Sequence, residues 1–460
     1  MQNERETTSP ASLTSAHCPL PTALIETLGC KVNRYDSEQL ALGFSRYGFI
    51  TCTDYRVIGS PPDVVVVNTC SVTRESERKG RQLIRRLARL YPCAKIIVTG
   101  CTAQLYSEAL RSIPGVAAVC LIADQPDLPR RVAHDAGLTE RTCQASVLHS
   151  DRTRAFVKVQ EGCDLFCSYC SIPYSRGQPR SRPIPEVREE IARLIERGFR
   201  EVVLCGTRLG CYGRDMGTDL TELLKDLCTI RGLDRLRLSS LEPEDVHPAL
   251  VDLFSANDIL CPHLHLPVQS GSDRVLERMG RGYRRADYLR KAEHARKGIA
   301  DLCISTDIMV GFPGETDSDF AETLSLVEQS GFSKVHSFPF SPRPGTPAAE
   351  LPDQIPADIR TQRRIALDRL ALAKAEDVRS AFLGRRLPVL VESCENGCGV
   401  GLTPNYLRVR FPSPPGLTPN TLADITLQEV SGLLLLGRCC SPFMDEGRGE
   451  AEQNRKPRAK

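Results

Sequence analysis

The feature that most constrains the fold is a twice-repeated rhythm of short apolar runs separated by helix-length segments. The first series runs 24–28, 64–68, 95–99 and 116–122, with helical spacing at 37–47 and 76–90. Continuous apolar runs, as in VVVVN at 64–68, mark strands buried on both faces, and helix-length connections let such strands lie parallel. A second series follows at 156–160, 201–204, 235–239, 262–266, 303–308 and 334–338. Six strands so connected fit an open, incomplete (β/α) barrel with its chemistry at the strands' C-terminal ends. Pro-rich 341–356 reads as a loop, 358–382 as a helix, and 387–438 as short strands with Gly/Pro turns. The expected class is therefore α/β: an N-terminal open parallel sheet, a partial (β/α)6 barrel and a small C-terminal β-barrel. The expected division is a disordered tail at 1–21, domains at 22–140, 149–384 and 385–440, and a flexible tail at 441–460, with 141–153 a linker.

Cysteines carry the chemistry. Cys163, Cys167 and Cys170 stand in GCDLFCSYC, just after one predicted strand. Three thiolates at this spacing reach three corners of an iron–sulfur cube, whereas four would close its coordination. The fourth iron is left open for a reaction. With 20 cysteines in 460 residues, chance supplies about 0.04 such triplets, so context must carry the reading. A zinc knuckle and reduced buried thiols are the alternatives. Cys30 (TLGCKVN), Cys70 (NTCSVT) and Cys101 (TGCTAQ) each follow a predicted strand of the first sheet. Carboxyl ends of adjacent parallel strands converge on one crevice, so these thiols are placed to hold a second three-ligand cluster. Buried core thiols are the bland alternative. Cys52, Cys93, Cys120 and Cys143 lack this placement and read as structural.

The N-terminus lacks a signal-peptide apolar core, and no apolar run approaches membrane-spanning length. We expect a cytoplasmic protein without membrane contact, in which so many cysteines point to metal ligands rather than disulfides. A net charge of +3 predicts no partner by itself.

TLGCKVN, VNTCSVT and VTGCTAQ followed by VQEGCDLFCSYC resemble the methylthiotransferases, radical S-adenosylmethionine (SAM) enzymes that insert sulfur and then methylate it. The resemblance spans about 23–438. It implies two [4Fe-4S] clusters held by the six cysteines, SAM as cofactor, a low-potential electron donor and a sulfur source the sequence does not specify. It also names the last domain a TRAM-like RNA-binding barrel, around VGLTPNYLRV at 400–409. There Tyr406, Arg408 and Arg410 alternate with apolar Leu407, Val409 and Phe411, giving a basic–aromatic face suited to phosphates and bases, or an ordinary solvated strand. Within the family, LGCKVNRYDSEQL and GTRLGCYGRD at 206–215 resemble the MtaB branch. That branch implies a tRNA substrate modified at C2 of N6-threonylcarbamoyladenosine beside the anticodon. Isopentenyladenosine in tRNA and a ribosomal-protein aspartate remain the alternatives, and an electron-transfer or RNA-binding module the non-catalytic one. Arg208 departs from the branch pattern.

Candidate SAM contacts lie where the barrel strands end: Gly206, Ser240, Glu242, Gln269, Ser270 and Asp307. The stretch DIMVGFPGE at 307–315 has no Lys-Ser/Thr after its glycines, which excludes a nucleotide P-loop. His263 and His265 alternate on a strand and read as core or rim histidines rather than a metal pair. The segment 74–89 carries seven basic and two acidic residues, and Arg176, Arg180 and Arg182 follow the cysteine loop; both groups are candidate phosphate contacts.

Overall fold

A computed structural model describes residues 20–56, 60–140, 147–148 and 153–440. The tail expectations for 1–19 and 441–460 lie outside the described residues. The first sheet contains β1 (Thr22–Thr27), β2 (Ile50–Cys52), β3 (Val64–Thr69), β4 (Lys95–Gly100), β5 (Val116–Val119) and β6 (Val147–Leu148). They lie in the order β5-β4-β3-β1-β2-β6, paired in parallel throughout. Every residue of β3 is buried, as its unbroken valine run requires. Val147 and Leu148 add a strand inside the stretch expected to be only a linker, by pairing with Thr51 and Cys52.

Three helices connect this sheet to the chemistry: α1 (Lys31–Arg46), α2 (Arg74–Leu90) and α3 (Cys101–Leu105). Helix α1 starts six residues before the expected 37. Its first turns bury Asn33 and Asp36 against polar partners, so apolar periodicity could not reveal them.

The central domain contains β7 (Arg154–Glu161), β8 (Arg180–Ser181), β9 (Glu201–Gly206), β10 (Arg235–Leu238), β11 (His263–His265), β12 (Cys303–Val310) and β13 (Lys334–Pro339). Two ladders, β10-β9-β7-β8 and β11-β12-β13, are joined by parallel bridges Leu236↔Leu260 and Ser240↔His265. The six long strands thus form a parallel arc, with no ladder closing β13 onto β7 among the described residues. Its core lies between strands and outer helices, around Leu204, Leu236, Leu264, Ile304 and Leu326.

A long helix, Ala357–Ser380, leads to a closed barrel of β14 (Arg386–Glu395), β15 (Cys398–Leu402), β16 (Arg408–Pro412), β17 (Leu422–Ser431) and β18 (Leu434–Cys439). The loop before β16 departs from expectation. Tyr406 does not join an RNA-facing surface; with φ +70° it turns back into the N-terminal end of the central arc. Its ring lies 4.6 Å from the His263 ring and 4.6 Å from the Arg237 guanidinium carbon, and its hydroxyl accepts from Arg154 at 3.2 Å. Arg237 also donates to the Pro404 carbonyl at 2.8 Å, fastening the loop. Burial of a polar aromatic that can satisfy its hydroxyl and take a cation on its face outweighs strand alternation here. Arg408 and Arg410 stay exposed, with Val409 and Phe411 inward.

Candidate active site: two cysteine trios at the junction of two domains

Cys163, Cys167 and Cys170 lie on the loop leaving β7. Gly162 precedes them at φ +85°, where a Cβ would come within 2.0 Å of the Gln178 carbonyl oxygen. Backbone bonds pin the loop: Cys163 N donates to Gly177 O at 3.0 Å, Ser168 N to Met279 O at 2.9 Å and Cys170 N to Cys167 O at 2.9 Å. Burial pushes the Cys163 and Cys170 thiols up, the latter to about 12, and neighbouring loop cysteines add to both shifts.

The other trio stands at the carboxyl ends of β1, β3 and β4. Cys30 caps α1, Cys70 follows β3, and Cys101 opens α3. Gly29, at φ +110°, allows close approach: a Cβ there would lie 2.8 Å from the Cys70 sulfur. The Cys30 and Cys101 sulfurs lie 3.8 and 3.9 Å from Asn33 Oδ1. Burial pushes Cys30 up and Cys70 up to about 12, each also feeling Cys101. Each trio offers three thiols and no carboxylate or imidazole, the soft donor set that an iron–sulfur group takes.

A buried arginine attends each trio. Arg176, 4 % exposed, donates through Nε to the Cys101 sulfur at 3.3 Å, through Nη2 to Asn33 Oδ1 at 2.7 Å and through Nη1 to Asp36 at 2.8 Å and to Glu161. Arg281 donates through Nη1 to the Cys167 sulfur at 3.4 Å and through Nη2 to Glu242. Hydrogen bonds to sulfur and local positive charge tune an iron–sulfur group and offset its negative charge. Arg176 was expected to meet RNA phosphates; buried and fully engaged, it instead ties the two domains together. Arg182 is likewise held by Glu190, at 2.7 Å, leaving Arg180 as the exposed member.

The residues following Cys70 and Cys170 meet. Ser71 and Ser171, each the residue after a cysteine, place their hydroxyl oxygens 3.4 Å apart. The remaining candidates divide. Gly206 ends β9 against Gln160, whose Oε1 would lie 2.9 Å from an added Cβ. Glu242 reaches the cysteine loop through Arg281. Gln269 is buried at φ +68° with Oε1 unpartnered, and so keeps an acceptor for a ligand. Ser240 is exposed, whereas Ser270 is committed to its own loop, accepting from Ser272 N at 3.2 Å. Asp307 sits deeper in the arc, 3.3 Å from His265 Nε2. His263 and His265 both bond Ser305 Oγ at 2.9 Å. Arg208 is paired with Asp164 at 2.5 Å, inside the cysteine loop. Arg281, Asn33 and the acidic partners of Arg176 gave no sequence signal, because pairing across domains has no local spacing.

Residues 157–327 match the Radical SAM superfamily, and 22–121 match Uncharacterized protein family UPF0004. The threonylcarbamoyladenosine tRNA methylthiotransferase MtaB of Thermotoga maritima is 41% identical over 383 residues, covering 81% of this chain and 87% of that one. The chain belongs to the radical-SAM methylthiotransferase family. The Bacillus subtilis MtaB is 35% identical, covering 85% of this methylthiotransferase and 90% of its own length. A tRNA-2-methylthio-N(6)-dimethylallyladenosine synthase of Syntrophotalea carbinolica is 37% identical, covering 85% and 94%. Among solved structures, the cobalamin- and [4Fe-4S]-bound radical SAM methyltransferase TsrM of Kitasatospora setae aligns at TM-score 0.53 and 15% identity, covering 72% of this chain and 77% of that one, a likeness of fold. The cofactors of this methylthiotransferase are SAM and [4Fe-4S] clusters. No helix among the described residues is long and apolar enough to cross a membrane.

Proposed function

We propose that this methylthiotransferase acts on tRNA in the cytoplasm, at C2 of N6-threonylcarbamoyladenosine, with electrons from a low-potential donor. The observation that supports the reading is the 3.4 Å approach of Ser71 to Ser171, which brings the residues following Cys70 and Cys170 together at the junction of the two domains. Cys163, Cys167 and Cys170 hold one cluster and Cys30, Cys70 and Cys101 the other. When bound, the clusters and SAM supply a 5′-deoxyadenosyl radical, sulfur and a methyl group. The chain's own part is to position and to exclude water. Gly206 and Gln269 leave room and an acceptor for SAM's polar end, Glu242 holds Arg281 against Cys167, and the Arg176 network fixes the distance between trios. Exposed Phe166 and Tyr174 make an edge-to-face pair, ring centroids 5.9 Å apart, at the rim of the barrel loop. They offer a stacking surface for bases beside the target. Arg408 and Arg410 on the C-terminal barrel supply phosphate contacts farther out.

The preference for the threonylcarbamoyl base over the dimethylallyl one follows the MtaB relatives and the GTRLGCYGRD stretch at 206–215. The test is anaerobic reconstitution with dithionite, SAM and tRNAs bearing each base, followed by nucleoside mass spectrometry. Methylthio product from the threonylcarbamoyl tRNA is expected; product from the dimethylallyl tRNA alone overturns the substrate. Replacing Cys30, Cys70 and Cys101 by Ala should remove about half the iron and stop sulfur insertion. Unchanged iron would assign those thiols a structural role.

A further inference from the structure

Helix α2 carries a row of charge that the chemistry of the cysteines does not use. Gly80, Ile84 and Leu87 are buried on one side of it, the last two against Val65 and Val67 of β3. The opposite side presents Arg74, Arg78, Arg81, Arg85 and Arg89, spaced four, three, four and four residues apart. At 3.6 residues per turn these positions share one face, about 22 Å from end to end. Arg81 is half-buried and the other four are exposed.

The helix does not neutralise this row. Its two carboxylates are already taken, Glu75 by Arg78 at 2.6 Å and Lys79 at 3.6 Å, and Glu77 by Arg343. Arg74, Arg81, Arg85 and Arg89 form no ion pair among the described residues. A solvated helix face usually mixes its signs, because like charges four residues apart repel. The steps Arg81–Arg85 and Arg85–Arg89 are therefore unfavourable in the free helix and become favourable once an anion bridges them. Position says which anion. Helix α2 starts four residues past Cys70, and Ser71 between them meets Ser171 across the domain junction. Arg343, 3 % exposed, ties the first turn to the central domain through Glu77 and keeps Nε and Nη1 unpartnered, which adds positive charge at the head of the row. The row thus begins beside the cysteines and leads away from them. A polyanion whose reacting base sits at the junction and whose backbone continues outward fits that course.

We propose that the arginine row of α2 is a phosphate track for the anticodon arm of the tRNA, with its Arg74 end beside the modified loop and Arg85 and Arg89 against the backbone of the stem. The inference rests on the tRNA reading above and extends the RNA surface from the C-terminal barrel to the first domain. Contacts of this kind set affinity and register and carry no base preference, so the track holds any tRNA in place while the junction selects the base.

The test uses the reconstituted full-length protein and an anticodon stem-loop bearing the threonylcarbamoyl base, with its stem intact or cut short. Binding is followed across a range of salt concentrations for wild type and for Arg85→Gln/Arg89→Gln. A control, Arg188→Gln/Arg193→Gln on the outer helix Ile184–Glu196, removes the same charge elsewhere. Loss of two phosphate contacts should weaken binding of the intact stem-loop about 10-fold at low salt and reduce the salt slope by about 1.5. The control should leave both unchanged, and on the shortened stem-loop wild type and Arg85→Gln/Arg89→Gln should differ by less than about twofold. The variant's melting temperature should be unchanged or slightly raised, since a repulsive pair is gone. If it falls instead, Arg85→Lys/Arg89→Lys, which keeps the charge, should restore most of the affinity, and failure to do so overturns the track. Unchanged affinity and slope in Arg85→Gln/Arg89→Gln, an equal loss in the control, or an equal loss on the shortened stem-loop also overturns it while leaving the tRNA reading intact. Unchanged RNA binding with slower cluster reduction by an acidic flavoprotein overturns it in favour of an electron-donor surface. Failure of wild type to bind or modify the intact stem-loop refutes the tRNA reading itself.

Discussion

Replacing Arg176 by Met removes the side chain that joins the two cysteine-bearing domains. Its guanidinium bonds Asp36, Glu161, Asn33 and the Cys101 sulfur, and its side chain is 2 % exposed. Burial pushes the Glu161 carboxyl up, but Lys158 and Arg176 outweigh it and hold the group below its ordinary value. Removing one partner of a buried pair costs about 3–5 kcal/mol. Here Lys158 still reaches Asp36 at 2.6 Å and Glu161 at 3.2 Å, so both carboxylates keep one cation. That places the loss at the lower end, about 3 kcal/mol, or roughly a 100-fold increase in the opening equilibrium between the domains. Hydrogen exchange at the α1 amides of Asn33–Ser37 in the apoprotein reads that opening directly. Arg176→Lys keeps the charge, but one ammonium cannot span four partners and should recover less than half of the protection. Iron at the N-terminal trio should fall in the Met variant as the junction between the domains loosens. An exchange increase below about threefold, with native iron content, would refute the view that this network holds the domains together.

Gly29→Ala adds a Cβ 2.6 Å from the Cys70 Cβ at a φ of +110°, and should displace Cys70 and lower iron per chain while the barrel trio keeps its share. Native iron content with an unchanged melting temperature would show that the loop absorbs the methyl group. The Asp319 carboxyl is pushed up by burial but held well below its usual range overall by Arg274, Ser272 and Thr316. Its contribution is therefore present above the unfolded-state pKa and lost as pH falls toward the folded one. The stability gap between wild type and Asp319→Asn, read by urea denaturation, should be full at pH 7 and shrink below about pH 4. Reversing Arg408 and Arg410 to Glu should weaken tRNA binding similarly across tRNA sequences and lower the salt slope by about one for each phosphate no longer bound. Binding isotherms at several salt concentrations check this, and an unchanged slope would remove these arginines from the RNA surface.

Local sequence determined the elements and the cysteine trios, because both depend on short-range pattern. Unbroken valine and isoleucine runs such as those of β3 and β4 can satisfy burial only inside a parallel sheet, and a thiol one residue past such a strand has to lie at its rim. The CxxxCxxC loop is equally local, since its spacing sets the reach of its own sulfurs. Tertiary structure alone decided the destination of polar and charged side chains. Arg176 and Arg180 stand four residues apart with the same chemistry, yet one is buried among Asp36, Asn33, Glu161 and Cys101 while the other faces solvent. Tyr406 and Arg408 share a strand parity, yet the tyrosine enters the central arc and the arginine remains outside. A charged group's energy depends on which partners and how much water surround it, and those are set by chain segments tens to hundreds of residues away.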